Sequence, residues 1–125
     1  IGTDAPSEKL EVDGNVKTSD KLIADRFQGS DSTASGLSSV AMGDNTTASG
    51  DYSTAMGYES EASGLTSNAT GFRTEASGDY STALGYNTTA SGERSIALGS
   101  GTLASVIYST AMGRSTTASG THSTS

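Results

Sequence analysis

From Gly29 onward, polar and apolar positions recur every seven residues. Glycine stands at Gly29, Gly36, Gly43, Gly50, Gly57, Gly64, Gly71, Gly78, Gly85, Gly92 and Gly99, and the frame resumes at Gly113 and Gly120. Two residues before each frame position from 36 to 120 lies an alanine, Ala34 through Ala118, and four residues before it a Ser or Thr. The unit is x-x-[ST]-x-A-x-G. The slot just before the glycine alternates. One phase reads Ser35, Ser49, Ser63, Ser77, Ser91, Ser105, Ser119; the other reads Met42, Met56, Thr70, Leu84, Leu98, Met112. The period is therefore 14 residues in two similar halves, with a 28-residue layer above it in Tyr52, Tyr80, Tyr108 and in Tyr58, Tyr86.

A seven-residue period suggests a coiled coil, which needs two apolar seams on a helix. Here a glycine falls in almost every heptad, at about 1 kcal/mol each in a helix interior, and Ser and Thr fill many other slots. Helix is rejected. The pattern predicts a short extended stretch, [ST]-x-A-x, ended by a glycine turn. Two stretches and two turns make one coil of a solenoid. Coils stack with parallel strands at ~4.8 Å, so about seven coils stand roughly 33 Å tall. Gly serves positive φ or close backbone approach at the corner. Ala fits an interior too thin for anything larger, and the Ser/Thr hydroxyl is placed to bond turn backbone groups.

Side chains alternate faces along a strand. If Ala points in, its neighbours point out, and Met42, Met56, Leu84, Leu98 and Met112 stand in an outer column, with Val40 and Ile96 on the same face. Such a column needs a cover, because each buried Met or Leu contributes about 1.5–3 kcal/mol. The simplest cover is another copy of the column. These seven residues are thus the candidate core of a homo-oligomer of parallel solenoids. The alternative is a monomer whose Met and Leu point inward.

Residues 1–29 differ. Leu10 to Val16 alternates apolar and polar residues around Asp13-Gly14-Asn15, and Leu22-Ile23-Ala24 and Phe27 follow. Short strands with a turn are expected, forming a β connector or cap on a repeat domain at 30–125, since solenoids need end caps.

Composition narrows the function. Among 125 residues there is no Cys or Trp, one His and one Pro, and 32% are apolar. The net charge is −7, and residues 30–125 carry only Arg73, Arg94 and Arg114 as bases. Without a basic stripe, nucleic acid is not an expected partner. No run approaches the roughly 18 apolar residues of a membrane span, so no membrane contact is expected within this stretch. The chain begins at Ile1 and stops inside a repeat, and reads as a piece of a longer protein.

Chemistry finds no footing. The lone His122 sits in a ragged last repeat, and the Ser and Asp residues occupy repeat slots, so no catalytic residue is expected. Asp44, Asp51 and Asp79 follow glycines singly, unlike the paired glycines of calcium-binding repeats. No metal or cofactor is expected, and these acids read as solvated turn residues. Tyr52, Tyr80 and Tyr108, spaced roughly 10 Å apart along the axis, and the second row of Tyr58 and Tyr86 are candidate surface-binding residues for glycan or protein. The competing role is packing between chains or coils. Asn45-Thr46-Thr47, Asn68-Ala69-Thr70 and Asn87-Thr88-Thr89 match the N-glycosylation pattern, but asparagine also favours turns, and that reading is preferred. Thr-rich repeats raise ice binding, although Val40, Glu61, Asn68, Glu75, Ile96 and Leu103 interrupt the rows.

Ser39-Val40-Ala41-Met42-Gly43 and Ser95-Ile96-Ala97-Leu98-Gly99 resemble the S-V-A-I-G signature of the YadA-like head repeat of trimeric autotransporter adhesins, and residues 30–125 follow it throughout. The resemblance implies a left-handed parallel β-roll, three chains per head, a Met/Leu column facing the trimer axis, and attachment to host or matrix surfaces. Thr70, and Val106 in a glycine slot, depart from the pattern. Residues 1–16 resemble a segment of bacterial surface proteins and phage-like fibres. The expectation is an extracellular or cell-surface homotrimeric adhesin head that binds a surface, matrix or glycan ligand multivalently. The alternatives are a phage-like tail-fibre shaft and an ice-binding β-solenoid.

Overall fold

A computed structural model describes residues 27–29 and 31–125. It contains two sheets and no helix among the described residues. The chain enters with β1 (Phe27–Gln28) and then alternates short and long strands. The short ones are β2 (Thr33–Ala34), β4 (Thr47–Ala48), β6 (Glu61–Ala62), β8 (Glu75–Ala76), β10 (Thr89–Ala90), β12 (Leu103–Ala104) and β14 (Thr117–Ala118). The long ones are β3 (Val40–Asp44), β5 (Thr54–Tyr58), β7 (Asn68–Phe72), β9 (Thr82–Tyr86), β11 (Ile96–Ser100) and β13 (Thr110–Arg114). One sheet runs β1-β3-β5-β7-β9-β11-β13, the other β14-β12-β10-β8-β6-β4-β2, all in parallel. This is a parallel β-solenoid with coils of about 14 residues. Apart from residues 27–29, the expected N-terminal connector lies outside the described residues. Phe27 and Gln28 pair with Val40 and Ala41.

The register is the sequence period made physical. Val40 pairs with Thr54, Ala41 with Ala55, Met42 with Met56 and Gly43 with Gly57, so each slot becomes a straight column. The inward columns are small. Every alanine from Ala34 to Ala118 is buried, and the largest fully buried side chains are Thr46, Thr74, Thr88 and Thr102. The Ser/Thr slot also points inward. Ser39 Oγ donates to the Gly36 carbonyl at 2.8 Å, and Thr46 Oγ1 to Ser32 Oγ one coil back at 2.8 Å. In adjacent pairs such as Thr46 and Thr47, one residue is buried and the next half-exposed, as strand alternation requires.

Two features differ from the sequence-based expectation. First, the halves of the coil are unequal, two residues of strand in one and five in the other. Second, the left-handed corner residues are not the frame glycines. Tyr52, Tyr80, Arg94 and Tyr108 occupy that region before the long strands, and Asn45, Glu59, Arg73 and Asn87 after them. Their N–H groups bond back one coil, as from Tyr80 to the Leu65 carbonyl at 2.7 Å and from Arg73 to the Tyr58 carbonyl at 2.8 Å. Gly71 lies inside β7 at φ 139°. A Cβ there would sit 2.0 Å from the Gly85 carbonyl oxygen of the next coil. From Gly36 to Gly99 the frame glycines are demanded by backbone-to-backbone approach between coils, and those inside the long strands also by a positive φ, rather than by the left-handed corners.

Val106 stands in a glycine slot. Where the Gly92 N–H reaches the Ala104 carbonyl at 3.2 Å, Val106 N–H donates instead to Ser109 Oγ at 3.3 Å. The following corner bond, from His122 N–H to the Ile107 carbonyl, stretches to 3.3 Å. Gly101 occupies the same corner slot as Asn87, with φ 64°, so the 14-residue frame passes through this coil intact.

Glycine at two positions separates the two demands. Gly64→Ala is expected to cost about 3 kcal/mol or more, because a methyl group there would lie 2.1 Å from the Gly78 carbonyl oxygen of the next coil. Gly101→Ala meets nothing closer than 3.8 Å and is expected to cost only the left-handed penalty of about 1–2 kcal/mol. Chemical denaturation of the two variants checks the order; equal losses contradict it.

Candidate functional site

The outer face of the long-strand sheet carries three columns. The first is Val40, Thr54, Asn68, Thr82, Ile96, Thr110; the second is Met42, Met56, Thr70, Leu84, Leu98, Met112; the third edges the sheet as Asp44, Tyr58, Phe72, Tyr86, Ser100, Arg114. The alanine between the first two columns fills the interior, so the bulky residues have nowhere to go but out. Met42 is 39% exposed, Met56 37%, Leu84 36%, Ile96 39% and Met112 53%. Val40 and Leu98 are half-buried. All seven sequence-predicted residues therefore share one face, and the inward-pointing alternative does not hold for this chain. Monomeric surfaces rarely leave a contiguous apolar strip of this kind uncovered.

The tyrosines form two ladders on the two edges of that sheet. Tyr58 and Tyr86 are not an isolated pair. Phe72 lies between them, with ring centroids 5.0 Å from Tyr58 and 5.2 Å from Tyr86 and the ring planes nearly parallel, as in a stack. Sequence reasoning passed over Phe72, although its position 14 residues beyond Tyr58 was the available signal. The corner ladder holds Tyr52, Tyr80 and Tyr108, each roughly half exposed. The Arg94 guanidinium lies 5.4 Å from the Tyr80 ring centroid and 5.5 Å from that of Tyr108, and donates to the Tyr108 hydroxyl at 3.1 Å. His122 stacks on Tyr108 at 4.9 Å. Arg94 and His122 were likewise missed. They share the tyrosine slot at 14-residue spacing, and an aromatic-only search does not register an arginine.

The acids have structural work. The Asp51 carboxylate accepts the Leu37 N–H at 2.8 Å and Asp79 accepts the Leu65 N–H at 2.9 Å, each one coil back. The reading of both as merely solvated turn residues is corrected accordingly. Among the asparagines, Asn45 and Asn87 do occupy left-handed corners, whereas Asn68 lies inside β7 and its turn reading is corrected too. Among the described residues no group of three or more His, Asp or Glu side chains gathers as a metal site would require.

Among the described residues one ion pair joins adjacent coils. Arg73 Nε donates to Glu59 Oε2 at 2.5 Å, and the Arg73 guanidinium also lies 5.2 Å from the Phe72 ring centroid. That hydrogen bond holds the Glu59 carboxyl below its ordinary range and the Arg73 guanidinium above its own. Glu59 in turn raises the Tyr58 hydroxyl. Because the folded carboxyl titrates lower than the unfolded one, its stabilisation is complete above the unfolded carboxylate range and fades as pH falls through the folded value. Glu59→Gln is expected to lower the Tm slightly at pH 7, with the gap to the parent closing below about pH 4. A gap unchanged at acid pH contradicts the assignment. The Arg73 side chain is more than half exposed and the Glu59 side chain about one-third exposed, so solvent screens the pair and the effect is small.

Comparison with known proteins adds the family. A family model for the YadA head domain repeat matches residues 28–46, 34–60, 76–102 and 107–125. No curated protein matches the chain. The matched segments cover more than half of the chain and coincide with the repeating coils, and on that evidence the chain belongs to the YadA head domain repeat family.

Proposed function

We propose that the chain is the head of a trimeric, surface-exposed adhesin, with three copies packing their long-strand sheets around a common axis and presenting repeated weak contacts to a surface or matrix ligand. One observation carries this reading: the interior is filled by Ala, Ser and Thr, while Met42, Met56, Leu84 and Met112 stand outside it in one column, with Ile96 beside them on the same face. Membership of the YadA head repeat family supports both the threefold assembly and the adhesive role. In this arrangement the seven column residues form the shared core, and the Tyr58–Phe72–Tyr86 ladder, at the sheet edge, packs beside the neighbouring copy. Tyr52, Tyr80 and Tyr108, roughly half exposed at the opposite edge, are the residues offered to a ligand. Three chains repeating such contacts gain avidity without a deep pocket.

The threonines favour this over ice binding, which needs a flat unbroken array. Thr54, Thr82 and Thr110 lie on one sheet, interrupted by Asn68 and Ile96, while Thr47, Thr89 and Thr117 lie on the other, interrupted by Glu61, Glu75 and Leu103.

The test is the mass in solution by light scattering after size exclusion. Three times 12.5 kDa is expected, and Met56→Asp combined with Leu84→Asp is expected to release single chains. A folded parent chain that runs at 12.5 kDa at micromolar concentration overturns the proposal.

A further inference from the structure

Thr70 is the one member of the central column that is neither Met nor Leu. Its neighbour in the first column is Asn68, where the adjacent coils carry Thr54 and Thr82. Thr70 Oγ1 donates to Asn68 Oδ1 at 2.9 Å, and both residues are half-buried. One polar layer thus interrupts the apolar strip, with Met56 on one side and Leu84 on the other.

We infer that the Asn68–Thr70 layer fixes the axial register of the copies that share the core, an inference that rests on the assembly proposed above. The coils are near-identical and spaced ~4.8 Å apart. Sliding one copy by one coil would set Met against Met or Leu again and lose only an end layer. Apolar contact is non-directional, so the Met/Leu column alone leaves such slips nearly degenerate. A polar layer removes the degeneracy. In register it meets itself at the axis, and an amide is its own complement: Asn68 Nδ2 carries two donors, while amide and hydroxyl oxygens accept. A one-coil slip sets Asn68 and Thr70 against Met56 or Leu84 of the neighbour, disfavouring that alignment roughly tenfold for each polar group left without a partner. A single polar position in an apolar helical seam sets register in the same way, at a cost in stability.

The chain has no cysteine, so Met42→Cys and Met56→Cys, one layer apart, report alignment. The two variants are unfolded together, refolded as a mixture and oxidised, and their disulfides are counted by mass spectrometry. Copies in register join 42 to 42 and 56 to 56, whereas a slip of one coil joins 42 to 56. In the parent background same-position disulfides are expected to exceed mixed ones at least tenfold or so. The same pair is then placed in a background carrying Asn68→Thr and Thr70→Leu, which repeats the Thr82 and Leu84 layer and so suits the fold. There the mixed disulfide is expected to rise to parity while the Tm increases. If light scattering reports three copies but mixed disulfides already match same-position ones in the parent, or the preference survives in the repacked background, the register role is overturned and the assembly stands. A parent mass of one chain with no disulfides overturns both.

Discussion

Thickness governs this structure. Two sheets lie so close that only the methyl group of alanine and the hydroxyls of Ser and Thr fit between them, from Ala34 at one end to Ala118 at the other. Successive coils approach just as closely, since a Cβ on Gly71 would meet the next coil's carbonyl oxygen at 2.0 Å. Side chains contribute little volume to the interior. What holds the coils is the parallel hydrogen-bond ladder, repeated at identical register, and the left-handed corners that return each N–H to the coil before.

From that constraint the rest follows. A chain that cannot bury bulky apolar side chains inside must bury them outside, between copies, or leave them in water. The long strand carries three outward columns where the short strand has only two residues, so the apolar strip develops on one sheet alone. The opposite sheet is mostly polar, with Glu61, Glu75 and Thr89 in its strands and Leu103 the exception. Each coil thus exposes an apolar strip on its long-strand side and a mostly polar face on its short-strand side. Stacking repeats along one axis turns every single-residue property into a column: rings become ladders, Arg94 becomes a rivet between Tyr80 and Tyr108, and Glu59 and Arg73 bind neighbouring coils.

Much of this was legible in the sequence because the repeat states each choice many times. The solenoid, the inward alanines and the outward Met and Leu all follow from the spacing of Gly, Ala and Ser/Thr with strand alternation. The parts that were not legible have physical reasons. Both halves of the coil carry the same [ST]-x-A-x-G signature, and only the backbone conformation of the glycine, positive φ at Gly57 and Gly71 but not at Gly50 or Gly64, makes one half a five-residue strand and the other a two-residue one. The corners fall to Tyr80, Arg94 and Glu59 rather than to glycine because stacked corner hydrogen bonds hold a left-handed conformation that local propensity opposes. Phe72 was hidden by a search for tyrosines at 28-residue spacing, when stacking between adjacent coils acts at 14.

The most direct test asks whether the apolar columns are covered when the protein is folded. Pulsed methionine oxidation, read residue by residue by mass spectrometry, measures this in the unmodified chain. Met42 and Met56 are expected to react at least about tenfold more slowly than free methionine in the assembled protein, and to gain reactivity on dilution as copies separate. Oxidation of a folded chain at the rate of free methionine, independent of concentration, would contradict the claim that an interior only one alanine deep forces this protein to build its true core between copies.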